Sequence, residues 1–376
     1  MAAKSVKPTC SCKATEKPVD LGFVEEAESA ESLLSYRFPS KVGGRPAWLA
    51  LDNIPGVESV SCRSCGKSCV LLLQVYCPDD NSTNCFHRSV FVFVCRESKC
   101  YQTDSTSYFR VFRSQLPRNN LFYSDQPPVV QIASGEWKET DGEFPKRSAA
   151  DFNKLCIICG GLGPKACAKC KVASYCSKEH QKLDWRVHKQ ECVKGLKEIS
   201  DRSSSSALFP EFKLITETEE CDVIDDENDA EEVKYEEINR QSEQQSGESF
   251  LSGELENMAL SESEEDKVFQ KFKCKIDRDP DQVLRYQKGG EPLWVSSKHI
   301  PSPDDIPACS CGAKRQFEFQ VIIYSSQLLN HLGVDNLGES LDWGTLAVYT
   351  CAVNCDIGDS YAEEFLWKQD FHQDTR

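Results

Sequence analysis

Short apolar runs rich in β-branched and aromatic residues recur in two separate parts of the chain. In the N-terminal part they are CRSCGKSCVLLLQVYC (Cys62–Cys77), SVFVFVC (Ser89–Cys95) and YFRVFRSQ (Tyr108–Gln115). Runs of this length between turn signals read as strands. A brief helical pattern lies around Ala27–Tyr36. A longer one extends from Ser177 to about Lys194, where Pro and Gly are absent and Leu183 and Val187 recur at helical spacing. From about Ser200 to Glu265 the apolar positions thin out into Ser, Glu, Asp and Gln, the composition of a disordered acidic linker. The chain therefore reads as mainly β (α+β).

The apolar pattern repeats. Gly43-Gly-Arg-Pro-Ala-Trp48 returns as Gly289-Gly-Glu-Pro-Leu-Trp294, Cys65-Gly66 as Cys311-Gly312, and Gln74-Val75 as Gln320-Val321, each at an offset of 246. VFVFVC (Val90–Cys95) then matches LAVYTC (Leu346–Cys351) at an offset of 256, and VFRSQ (Val111–Gln115) sits beside LWKQD (Leu366–Asp370). A constant offset over separated features marks a duplication. The resulting layout is a disordered N-terminus (1–17), a first β-rich half (18–135), a cysteine-rich insertion (150–195), the acidic linker (200–265) and a second half (266–376). A Pro-containing connection spans 116–150. Each half is expected to be a small β unit, the two packing together.

Among 376 residues are 21 cysteines, an odd number that cannot all pair. The N-terminus lacks an apolar core of signal-peptide length, and runs such as Val70–Leu73 and Val90–Val94 are too short to cross a bilayer. The expectation is a soluble intracellular protein with reduced cysteines and no membrane contact. The net charge of −16 is uneven: between Glu217 and Asp266 stand 20 Asp/Glu against Lys234 and Arg240, whereas Cys156–Glu198 carries 9 Lys/Arg and 4 Asp/Glu. This is an acidic tether on a nearly neutral body. Ser261 and Ser263 within SESEED are candidate sites for an acid-directed kinase.

The stretch Cys156–Cys192 carries the chemistry. Its candidate ligands are Cys156, Cys159, Cys167, Cys170, Cys176, His180, His188 and Cys192. Two Cys-x2-Cys knuckles precede a Cys-x3-His pair and a His-x3-Cys pair, enough for two closed tetrahedral zinc sites. With four protein ligands each, neither ion keeps an open position for water, so both are structural. Residues four apart share a helix face, and the two later pairs lie roughly 18 Å apart along one helix, too far for a single ion. Each pair must take one knuckle. Spacing alone leaves interleaved and nested pairings open. In the halves, Cys62 and Cys65 face Cys95 and Cys100, and Cys309 and Cys311 face Cys351 and Cys355; these are candidate zinc ribbons or reduced core thiols.

The order of the four arms, with Gln181, Trp185, His188 and Cys192, resembles a MYND zinc finger. That family interleaves its ligands, which implies Cys156/Cys159/Cys176/His180 for one zinc and Cys167/Cys170/His188/Cys192 for the other. His180 departs from the usual Cys, but imidazole is an equivalent ligand. VDLGF, FPSKVGGRPAWL, FRSQLPRNN (Phe112–Asn120), PDQVLRY (Pro280–Tyr286), IPACSCGAKRQFEFQ and LDWGTLAVYTC together resemble the programmed cell death protein 2 family. The resemblance implies a duplicated TYPP-type fold. It also implies a chaperone role toward a newly made, basic protein of the small ribosomal subunit, in cytoplasm and nucleus, with apoptosis also attached to the family name.

No catalytic constellation competes with this reading. His87, His299, His331 and His372 are isolated, and nucleophile-elbow, phosphate-loop and dinucleotide motifs are absent. A non-enzyme is expected. The alternative is a transcriptional or signalling adaptor whose finger binds Pro-containing peptides beside Gln181 and Trp185. Nucleic-acid binding is disfavoured, because the acidic segment opposes phosphate.

Overall fold

The computed structural model describes residues 17–101, 106–125, 129–131, 137–139, 146–194, 202, 205–220, 264–322, 327–332 and 344–370. Its strands are β1 (Asp20–Glu25), β2 (Lys41–Val42), β3 (Val70–Tyr76), β4 (His87–Val94), β5 (Phe109–Leu116), β6 (Val129–Gln131), β7 (Trp137–Glu139), β8 (Lys165–Ala166), β9 (Ser174–Tyr175), β10 (Phe212–Thr218), β11 (Leu284–Tyr286), β12 (Arg315–Ile322), β13 (Thr345–Cys351) and β14 (Ala362–Gln369). The helices are α1 (Lys178–Lys194), α2 (Glu264–Arg278) and α3 (Gln327–Leu332).

Ten of these strands close into one antiparallel barrel, in the order β1-β10-β2-β3-β4-β5-β14-β13-β12-β11 and back to β1. The two repeats are thus two arcs of a single barrel rather than two units laid side by side. They join at β5·β14, where Arg113 faces Ala362, and through β1, which bridges β10 and β11. Closure leaves no free sheet edge.

The repeat extends to irregularities. The β3·β4 ladder slips between Leu71 and Leu73, and the β12·β13 ladder between Phe317 and Phe319, positions again 246 apart. Gln74 accepts from the Ala47 amide at 2.8 Å, and Gln320 from the Leu293 amide at 2.5 Å. Each amide side chain thereby holds the loop carrying the following tryptophan. Trp48 covers the outer face of β4 at 5.5 Å from Phe91 and 5.8 Å from Phe93. Trp294 packs with Phe317, Ala347 and Tyr349 on the outer face of the other arc. Strands covered on both faces need apolar residues at consecutive positions, which is why β3 and β4 read as unbroken hydrophobic runs.

Two buried ion pairs join the arcs, one across the barrel and one at the β5·β14 seam. Arg88 on β4 donates to both carboxylate oxygens of Glu318 on β12, at 2.6 and 2.8 Å, and neither residue is exposed. Tyr286 donates to Glu318 at 2.8 Å and the Thr350 hydroxyl closes the set. Arg113 donates to Glu364 at 2.8 Å, and Arg315 shares that carboxylate.

Several boundaries change. The acidic linker drawn from 200 begins too early: Leu208 and Phe209 are buried, and β10 is a full barrel strand between β1 and β2. Its seven residues lie among acidic ones, so composition hides them, while strands of the N-terminal half pair with their backbone and Leu214 is buried. The Ala27–Tyr36 pattern yields only two short 3-10 turns, Ala30–Leu33 and Ser35–Arg37. The 116–150 connection contains the β6·β7 hairpin. Residues 1–16, Ser261, Ser263, His372 and the acidic run 221–263 lie outside the described residues.

Candidate metal centres of the inserted finger

The finger is assembled from turns before it is assembled from ligands. In the first knuckle the Gly160 amide donates to Cys156 O at 2.9 Å, and the Cys156 amide to Gly161 O at 2.7 Å. In the second, Lys171 donates to Cys167 O and Cys167 to Ala173 O. The residue after each second cysteine is left-handed, Gly160 at φ 71 and Lys171 at φ 59. Glycine takes this conformation freely, whereas lysine is strained there. The β8·β9 ladder folds the second knuckle back, and Ile157 pairs with Ser174, so Cys176 arrives beside the first knuckle. Ser177 then caps α1 by accepting from the His180 amide at 3.2 Å. Cys176 therefore precedes the helix, His180 sits on its first turn, and His188 and Cys192 lie one turn apart near its end.

These elements gather Cys156, Cys159, Cys176 and His180 into one cluster and Cys167, Cys170, His188 and Cys192 into another. Of the two pairings that spacing left open, the chain adopts the interleaved one. Within each cluster all ligand atoms lie within 4.8 Å of one another. A tetrahedral ion with bonds of about 2.3 Å to sulfur and 2.0 Å to nitrogen requires sulfur–sulfur edges of about 3.8 Å and sulfur–nitrogen edges of about 3.5 Å. The Cys159–Cys176 and Cys167–Cys192 edges are 3.7 and 4.0 Å. Cys156–His180 Nδ1 and Cys170–His188 Nε2 are both 3.5 Å. A disulfide would bring sulfurs to about 2.05 Å, and the described cysteines are all free. Both clusters fit zinc. His188 keeps Nδ1 buried without a hydrogen bond, with Glu191 Oε2 3.9 Å away.

Sequence reasoning missed the residues that seat the finger. Arg202, assigned to the linker, returns to α1 and binds buried Asp184 and Glu191 at 2.5 Å each, and Tyr175 donates to Asp184 at 2.7 Å. No local signal marks such a contact. The first knuckle docks on the N-terminal arc: Arg45 donates to Ile157 O and Ile158 O, and Trp48 Nε1 donates to Gly160 O at 2.8 Å. Gln181 and Trp185 belong to neither cluster. They lie four apart on α1, and the Trp185 side chain is 45 % exposed.

A duplicated closed barrel with an inserted, double-knuckle finger on its first arc defines the class of protein. Comparisons agree with that architecture. The N-terminal domain profile of programmed cell death protein 2 matches residues 18–130, its C-terminal domain profile 266–370, and the MYND finger profile 156–192. The chain belongs to the programmed cell death protein 2 family. It is 49 % identical over 354 residues to Programmed cell death protein 2 of Mus musculus, covering 94 % of this chain and 96 % of that protein. The Rattus norvegicus protein of the same name is likewise 49 % identical, over 353 residues, with the same coverage. A more distant relative, 24 % identical over 381 residues, is named "Probable 20S rRNA accumulation protein 4" in Schizosaccharomyces pombe, with 89 % of this chain and 92 % of that protein covered. No solved structure matches the chain.

Proposed function

We propose that this protein is a non-enzymatic chaperone that shields a newly made, basic protein of the small ribosomal subunit in cytoplasm and nucleus, supporting ribosome biogenesis. The observation that carries the reading is how the acidic segment is mounted. β10 ends at Thr218, and the next residue, Glu219, pairs with Arg285 at 2.8 Å and with Lys275 of α2 at 3.6 Å. The end of β10 is thus tied to the last turn of α2 and to β11. Residues 221–263 are joined covalently to the body on both sides, and a client on the body would meet their carboxylates at effective concentrations of roughly mM. The fission-yeast relative's name, which concerns 20S rRNA, supports a ribosomal context.

In this reading the finger holds two structural zinc ions, with Cys156, Cys159, Cys176 and His180 on one and Cys167, Cys170, His188 and Cys192 on the other. Four protein ligands close each sphere, which fits scaffolding rather than metal-activated water. The test replaces acidic residues from Asp222 to Glu262 by Ser or Gln at constant length, sparing the structural Glu219. Association with the basic protein that co-purifies with the full chain is then followed against ionic strength. Slower association and a shallower salt dependence are expected. An unchanged rate and slope would reduce the segment to a spacer and remove this support.

Gln181 and Trp185, partly exposed on one face of α1, favour a second reading, an adaptor docking Pro-containing peptides. Trp185→Ala separates the two. Loss of the principal co-purifying partner supports the adaptor, and its retention supports a client held by the body.

A further inference from the structure

The two arcs of the barrel each carry a four-cysteine cluster that neither the finger nor the family comparisons account for. We propose that Cys62, Cys65, Cys95 and Cys100 bind one zinc ion and Cys309, Cys311, Cys351 and Cys355 another, giving the chain four zinc ions rather than the finger's two. Geometry is the first argument. Each set lies within 4.8 Å. Its sulfur–sulfur edges are 3.8 Å (Cys62–Cys100), 3.6 Å (Cys65–Cys95), 3.7 Å (Cys309–Cys355) and 3.7 Å (Cys311–Cys351). These match the edge of about 3.8 Å that four thiolates on one zinc require, and exceed a disulfide bond by more than about 1.5 Å.

The second argument is that the body repeats the turn the finger uses to present its thiols. Gly66 donates to Cys62 O at 2.9 Å and Cys62 to Lys67 O at 2.8 Å, as Gly160 and Cys156 do in the finger. In the second arc Gly312 donates to Cys309 O and Cys309 to Ala313 O, both at 2.8 Å. The Cys309-x-Cys311 knuckle is one residue shorter, yet it closes with the same two bonds. Gly66 and Gly312 are left-handed at φ 73 and φ 87, as are the corresponding Gly160 and Lys171. In the first arc the Glu97 amide also donates to Cys95 Sγ at 3.4 Å.

Charge and position complete the case. Four thiolates on Zn2+ leave two negative charges, and a guanidinium stands beside the second site. In the second arc Arg113 Nη2 is 3.5 Å from Cys355 Sγ. Each knuckle precedes β3 or β12, and the second pair begins just after β4 or at the last residue of β13, so a metal would clamp that hairpin at its open end. Both sites also touch the seam between arcs. Arg63, inside the first knuckle, pairs with Glu363 of β14 at 2.8 Å, and Gln115 of β5 donates to Cys355 O at 3.2 Å. Metal in either site would hold the loops that lock the arcs together.

Zinc in the full-length chain, purified without chelator, is counted by native mass spectrometry and elemental analysis. Four ions per chain are expected. Cys65 and Cys311 are the exposed members of their clusters, so Cys65→Ser and Cys311→Ser should each remove one ion, and the double variant two. His188→Ala should instead lower the count through the finger, so failure of the finger reading and failure of this one are distinguishable. If a variant does not fold, wild-type chain exchanged with Co2+ still decides. Four sites present 14 thiolates against 6 for the finger alone, so the thiolate-to-metal charge-transfer band should be about 2.3-fold stronger than two finger sites would give. A wild-type count of two overturns the proposal, and a count of three overturns it for one arc. Intact mass showing disulfides within either cluster overturns it for that arc.

Discussion

The two arcs share a frame and differ where they meet. Leu72 sits at the irregular point of the first arc, and Glu318 occupies the matching place in the second. Phe109 is likewise matched by Glu364. In return the first arc buries Arg88 and Arg113 where the second has Gly344 and Lys368. One arc therefore supplies buried guanidinium groups and the other buried carboxylates, and they neutralise each other across the interior and at the β5·β14 seam. An arc paired with its own copy would leave the Arg88 guanidinium or the Glu318 carboxylate without this partner. The duplication preserved what folds each arc, and the divergence made the arcs complementary. The outer faces diverged too: Trp48 reaches the finger through its indole N–H, whereas Trp294 remains within the second arc's own cluster.

The sharpest way to break this complementarity is at its most buried pair. Arg88→Ala or Glu318→Ala leaves one charge buried without its partner and should destabilise the fold by about 3–5 kcal/mol. Arg88→Met with Glu318→Leu should lose markedly less than the sum of the single changes, measurable as a coupling energy in urea denaturation. Additive losses would mean the pair does not couple the arcs.

A smaller effect should come from what the arcs hold in common. Gln74→Leu and Gln320→Leu each strip a partner from a loop amide and carbonyl, with an expected loss of about 1–3 kcal/mol apiece. Gln74 also donates to Pro39 O at 3.0 Å, so its loss should be the larger. Equilibrium unfolding of the two variants compares the arcs directly, and a negligible change at either would show that the clamp is not shared. The smallest effect is expected at Trp48→Phe, which retains most of the packing and deletes the bond to Gly160 O, worth about 0.5–1.5 kcal/mol. Its specific sign is faster proteolysis of the finger with an intact barrel, while Trp294→Phe leaves the finger unchanged.

The sequence by itself determined whatever is written in local spacing. The offset of 246 located both arcs, since equivalent strands and turns need equivalent residues. The cysteine and histidine intervals located the finger, because a zinc ion accepts ligands only at bond length and a helix places residues four apart on one face. Tertiary structure decided the rest. Interleaved and nested pairings satisfy the same intervals, and the path of β8·β9 around the second knuckle selects one. β10 is a strand because β1 and β2 flank it, although its own neighbours in the chain are acidic. Closure into one barrel, the return of Arg202 to α1, and the pairing of Arg88 with Glu318 across 230 positions rest on contacts through space, and a linear pattern does not encode which distant charge will stand opposite.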